Sequence, residues 1–175
     1  PSDLGLQKTY VNLYGEQVAG FYHTETDKLY VVGNSSEFGP EEKITYSHEY
    51  VHALQQQHFD IRALAEAAEG NAEASAALRA LIEGDATVVE LKYMFLSLPT
   101  EDLQELLQSN DSTPVFEQAP YVLRMQLLYP YIAGLSFVSA LLQSGQQDAL
   151  NEAYKDPPVS TEQILHPQKY FERRR

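Results

Sequence analysis

The chain has 175 residues, 43% of them hydrophobic and 21% charged, with 12 Lys and Arg against 25 Asp and Glu and a formal charge of −13. That is one globular domain's worth of sequence, long enough to bury a core, and its acidity argues against nucleic acid or anionic lipid as a partner, since binding either relies on concentrated Lys and Arg. The lack of cysteine excludes a disulfide framework, a thiolate metal site and a cysteine nucleophile.

From Gln17 to Val32 two β-prone runs flank the polar stretch Thr24-Glu25-Thr26-Asp27, which predicts a β-hairpin. Gly33-Asn34-Ser35-Ser36 reads as a loop. Gly39-Pro40-Glu41-Glu42 then places proline and two acids where a first helical turn favours them, so a helix is expected from Pro40. Its stripe of Ile44, His48, Val51, His52 and Gln55 follows the i, i+4, i+7 spacing and puts two histidines beside core aliphatics. A second long helix is expected over Ala72 to Leu98, rich in alanine and leucine, ended by Pro99 and interrupted by Gly84. Further helices are expected over Glu101 to Gln108, Val115 to Leu128, Tyr131 to Gln143 and Gln146 to Tyr154, and Ser160-Thr161-Glu162 reads as the capped start of a short one. The expectation is a single α+β domain over residues 1–175, mostly α, with a small N-terminal sheet.

The basic cluster Arg173-Arg174-Arg175 is given no functional weight. No apolar run approaches the roughly 18 residues that span a bilayer, and no charged-then-apolar leader opens the chain, so no membrane insertion is expected of this stretch. It begins at Pro1 and its only methionines are Met94 and Met125, so it reads as part of a longer chain. Its location stays open, an extracytoplasmic site included, with any signal or anchor lying outside these residues.

Residues His48-Glu49-Tyr50-Val51-His52 form an HExxH pattern. Four residues along a helix bring the second histidine to within about 40° of the first, one turn on, so two imidazoles converge on one metal ion. Glu49 flanks the pair and reaches a water there as a general base. Unpaired histidines on a buried face are costly unless hydrogen-bonded or coordinated.

A catalytic zinc needs a third protein ligand, for which there are two candidates. His58 lies six residues past His52, the metzincin spacing, but the glycine that lets metzincins turn after the second histidine is replaced by Gln55. A helix continuing through Gln57 would also rotate His58 about 120° away from His52. The other candidate is Glu83. The segment Glu83-Gly84-Asp85-Ala86 resembles the Asn-Glu-Gly-x-Ala signature of the aminopeptidase branch of gluzincins, whose third ligand is a glutamate from a later helix packed beside the HExxH helix. Glu83 lies between Leu81-Ile82 and Ala86-Val88-Val89, on a helix that would carry it inward, and Gly84 would permit close approach of the two helices.

The chain as a whole resembles a zincin metallopeptidase of the gluzincin type. His48 to Gln55, Glu83 to Thr87 and Ser160 to Pro167 are similar also to blocks of a little-characterised group of bacterial metallopeptidase-like proteins. The resemblance implies a zincin-like domain with an HExxH helix and a packed glutamate helix. It also implies Zn2+ held by His48, His52 and Glu83, with Glu49 as base and proton shuttle. Thermolysin-like gluzincins orient a histidine ligand with an aspartate four residues after the ligand glutamate, where this chain has Thr87. Asp85 and Asp60 are the substitutes considered. His166 is the first choice of oxyanion donor, and Tyr154, Tyr129 and Tyr131 are the others. The hairpin's edge is a candidate for binding an extended peptide.

The expected function is zinc-dependent hydrolysis of a peptide or protein substrate. The alternatives are a metzincin-like protease using His58 and a non-catalytic zincin-like binding module. The negative charge fits cationic substrates and fits a solubilising surface equally.

Overall fold

A computed structural model describes residues 19–33, 38–108 and 114–173. Gln17, Val18, the loop residues 34–36 and Arg174-Arg175, for which readings were made above, lie outside it. The described chain is mostly helical, with one two-stranded antiparallel sheet at its start.

Strands β1 (Gly20–His23) and β2 (Lys28–Val31) pair in the register Gly20 with Val31 and Tyr22 with Leu29. Asp27 closes the turn at φ 53°, a left-handed conformation that aspartate tolerates, and accepts a 2.6 Å hydrogen bond from the Tyr22 hydroxyl. Phe21 and Tyr30 stack across the strands while remaining exposed, so the hairpin's aromatic pair lies outside the core.

Helix α1 (Pro40–Phe59) begins at Pro40, with Glu41 and Glu42 in its first turn. It ends at Asp60, whose φ of 49° turns the chain and whose carboxylate caps α2 (Ile61–Ala68) by accepting from the Ala63 N–H. Asp60 is therefore committed to helix capping and does not support a histidine. Helix α2, absent from the sequence-based expectation, has no fully buried residue. Helix α3 (Ala72–Leu96) starts on an Asn71 cap, and α4 (Thr100–Gln108) is tied to α1 by the Lys43–Asp102 ion pair.

After α5 (Pro114–Gln118), the pieces expected to break at Pro130 form one helix, α6 (Tyr121–Lys155). Pro130 removes one backbone hydrogen bond, but the extensive packing of this helix against α3 outweighs that loss. The break expected after Gln143 is real in part, since Gly145 and Gln146 leave helical geometry and Gln146 takes φ 54°. Among the described residues α6 is the one helix long and apolar enough, by length and composition, to cross a membrane, which corrects the reading that no such run exists. One face of it, with Phe137, Val138, Leu141 and Leu150, forms the protein core against Ala77, Ala80 and Leu81 of α3.

Helices α7 (Thr161–Leu165) and α8 (Pro167–Arg173) close the chain, with Tyr170 of α8 fully buried. The Ser160 side chain does not cap α7. Instead Glu73 of α3 accepts from the Thr161 N–H at 2.9 Å and from its hydroxyl at 2.6 Å.

Among the described residues α3 and α6 make the most extensive contact between helices, and their backbones touch at two glycines. A Cβ on Gly84 would overlap the Gly134 carbonyl group, and a Cβ on Gly134 would overlap the Ala80 carbonyl oxygen. Gly84 thus serves the approach of α6, not the approach of α1 expected from the sequence. Gly134→Ala is expected to cost about 1–3 kcal/mol or more by forcing the helices apart, measured by urea unfolding; an unchanged midpoint would refute the contact.

The hydrogen bonds from Thr161 hold the Glu73 carboxyl below its ordinary pKa. A depressed carboxylate stabilises the fold above its unfolded pKa, and that stabilisation is lost as pH falls through the folded value. The melting temperature of Glu73→Ala is therefore expected to fall below wild type at neutral pH, with the gap closing below about pH 4.

Candidate metal centre

The helical period sets His48, Glu49 and His52 on the inner side of α1, where His48 and Glu49 are buried along with Val51 and Gln55. Candidate ligand atoms of His48, Glu49 and His52 all lie within 4.8 Å of one another. Glu83 enters from α3, its Oε2 3.3 Å from His48 Nε2 and 3.5 Å from His52 Nε2. The three side chains are only 11%, 13% and 14% exposed.

The remaining ring nitrogens are held from behind. His48 Nδ1 lies 2.7 Å from Glu90 Oε2, and His52 Nδ1 lies 2.8 Å from Gln55 Oε1. The Gln55 amide can point only one way, because its nitrogen donates to two acceptors, the Ile82 carbonyl at 3.0 Å and Asp85 Oδ2 at 2.9 Å. Its oxygen must therefore accept from His52, so His52 Nδ1 carries a hydrogen. Glu90 imposes the same on His48, since an ionised carboxylate only accepts. In both neutral imidazoles the lone pair is then on Nε2, aimed at Glu83 Oε2.

Two lone pairs and a carboxylate facing one another repel unless a cation lies between them. Protons can fill that role. Burial alone would push His48 down, but its bonds to Glu83 and Glu90 outweigh burial and raise it to about 9. His52 is raised in the same way, chiefly by Glu83 against the effect of burial. Burial would raise Glu83, yet its bonds to His48 and His52 hold it down at about 2. A tetrahedral ion with ligands about 2.0–2.1 Å away separates its donors by roughly 3.3 Å, close to the 3.3 and 3.5 Å found here. The donor set and its spacing therefore fit a divalent ion in place of the protons.

Glu49 stands beside the three donors. Its carboxyl is raised by burial, partly offset by His52, His48 and the Tyr22 N–H of β1, which donates to it. That bond requires the hairpin to lie close on α1, and Gly20 permits it, since a Cβ there would stand 2.6 Å from Thr45 Cγ2. A cavity of about 420 Å³ opens over the cluster, with Gly20, Glu49, Arg79, Glu90, Leu127 and Tyr131 among its walls. The Tyr131 ring lies 6.0 Å from that of His48, and burial together with Glu83, Glu49 and Glu90 raises its hydroxyl pKa.

Glu83, and not His58, is the residue brought to the two histidines. His58 is exposed near the end of α1 and lines a different cavity. His166 is not brought to the cluster either: it is the exposed cap of α7 and is absent from the cavity wall, so its expected part as oxyanion donor is withdrawn. Tyr129 faces a separate pocket with Thr161, and the Tyr154 hydroxyl is spent on Asp85 at 2.8 Å. Asp85 supports His52 only through Gln55. Sequence reasoning missed Glu90, which follows Glu83 by seven residues and so shares its helix face. It noted Gln55 only as part of the buried stripe.

Compared with known protein families, curated proteins and solved structures, the chain matches none.

Titration with zinc separates these roles. Wild type is expected to bind about one ion per chain, Glu83→Ala to lose most of that affinity, Glu90→Ala to weaken it about 10- to 100-fold, and His58→Ala to match wild type. Loss in His58→Ala with retention in Glu83→Ala would reverse the assignment.

Proposed function

We propose that the chain is a metal-dependent peptide hydrolase in which His48, His52 and Glu83 hold a zinc ion. The observation that supports this most is the convergence of two Nε2 lone pairs and the Glu83 carboxylate on one point beside Glu49. Three nitrogen and oxygen donors are the complement of a catalytic zinc, whereas structural sites use four. When bound, zinc supplies Lewis acidity toward a carbonyl oxygen and lowers the pKa of water.

The protein's own groups supply the rest. Glu49, its carboxyl raised by burial, accepts a proton from the attacking water and returns it to the departing amine. Tyr131 stays protonated at neutral pH and donates to the oxyanion that develops as the carbonyl is attacked, the part first considered for His166. With the Tyr22 N–H turned toward Glu49, the outer edge of β1 faces the cavity and offers main-chain hydrogen bonds to an extended peptide. Phe116, Leu127 and Leu128 give the opposite wall an apolar surface for a substrate side chain.

Glu49→Gln is expected to keep zinc and lower peptide-library cleavage by about 100- to 10,000-fold; near wild-type turnover in zinc-loaded Glu49→Gln would overturn the mechanism. Tyr131→Phe should lower kcat by about 100- to 1,000-fold at unchanged zinc content, while His166→Ala leaves kcat alone.

A further inference from the structure

The second large cavity lies on the other side of α1 from the histidine cluster. It has a volume of about 640 Å³ and is walled by α1 and α3, with Tyr46, Tyr50, Tyr93, Asp85 and Lys43 among its lining residues. A volume of this size falls within the range that takes small organic molecules. We propose that this cavity binds a small amphiphilic amine, its cationic head on Asp85 and its apolar body among the aromatic rings.

The aromatic wall is built in order. Tyr46 and Tyr50, one helical turn apart, stack with centroids 6.0 Å apart, and Phe38 meets Tyr46 edge-on at 5.9 Å. These rings are 44–52% exposed, so they stand ready for a ligand and are not spent on the core. Aromatic faces attract cations, and the attraction grows when the cation is desolvated.

The sign of the ligand's charge follows from Asp85. It accepts from Gln55 and Tyr154, both uncharged donors and both on Oδ2, so no cation neutralises the carboxylate within the hydrogen-bonded group. Lys43, the one Lys or Arg among the described lining residues, is paired with Asp102. His58 is the other ionisable base there, set edge-on to Phe59 near the end of α1. An apolar cavity with one uncompensated carboxylate favours a cation over a neutral or anionic molecule. The chain's formal charge of −13 adds a long-range field of the same sign. This site does not depend on the proposed hydrolase activity.

The test is calorimetric titration of the full chain with 4-phenylbutylamine, 4-phenylbutanol and 5-phenylpentanoate, which share an apolar body and differ in charge. The amine is expected to bind at least about tenfold more tightly than the alcohol, and the carboxylate most weakly. Asp85→Asn should bring the amine down to the level of the alcohol. Val89→Trp, which fills the cavity from its partly exposed edge, should abolish binding of all three. Should Asp85→Asn fail to fold, the ranking of the three probes on wild type and the loss in Val89→Trp decide the matter. Equal binding of amine and carboxylate, an amine preference that survives Asp85→Asn, or binding that survives Val89→Trp would overturn the proposal. So would self-association abolished by Val89→Trp in a chain that binds no amine, which would assign this face to a second copy.

Discussion

The Gly84–Gly134 crossing fixes the rotation of α3, and through it the aim of the metal-binding candidates. Glu83 is the neighbour of Gly84, so seating Gly84 against the α6 backbone sets the Glu83 side chain about 100° round α3 from that contact, on the side where α1 lies. The same crossing places Tyr131, which sits one turn before Gly134 on α6 and whose ring reaches His48. Two residues from separate helices thus meet the HExxH turn because two glycines let their backbones touch. A side chain at either glycine would separate α3 from α6 and move Glu83 and Tyr131 relative to each other.

Each ionisable group in the cluster has a hydrogen-bond partner. Glu83 accepts from both histidines, Glu90 holds the far side of His48, and Glu49 has the Tyr22 N–H, so none of these nearly buried groups is left alone. Removing one member leaves its partner with the full cost of desolvation. The carboxylates outnumber the imidazoles: Glu83 and Glu90 raise the histidines against burial, and burial first, then these carboxylates, raises Tyr131, while burial raises Glu49. A site with this excess has the charge to hold a divalent cation, which would bring two positive charges to the point where the lone pairs meet.

The sequence disclosed those parts of the fold that depend on local periodicity. Pro40 and the acids after it marked the start of α1, the four-residue spacing of His48 and His52 gave their convergence, and the polar turn after His23 gave the hairpin. Tertiary contacts were not legible in the same way. Gly84 looked like a contact with α1 because it follows Glu83, whereas its true partner lies fifty residues away on α6. Pro130 looked like a helix end because propensity takes no account of a packed neighbour. Helix α2 was missed because it depends on a single cap and buries no complete side chain. His166 was favoured for its setting between a short helix and Pro167, and nothing in that setting shows which way the residue faces. Glu90 was legible in principle, since it repeats the face of Glu83 two turns on, but glutamates are common enough here that the spacing gained meaning only beside His48.

Gln55 shows how narrowly the cluster is specified. It is 2% exposed, and it donates twice through one end and accepts through the other. A glutamate at this position could not donate to the Ile82 carbonyl, and its charge would face Asp85. A leucine would fill the space but leave His52 Nδ1, Ile82 and Asp85 without their partner, each in surroundings where a lost hydrogen bond costs about 1–3 kcal/mol. Only an amide fixes the His52 tautomer while keeping Asp85 as an acceptor. Since Asp85 is also held by Tyr154, the orientation of one candidate ligand rests on a hydrogen-bonded chain that crosses from the α1–α3 contact to α6. The position of His52 is therefore a property of three packed helices, and the HExxH turn on its own does not determine it.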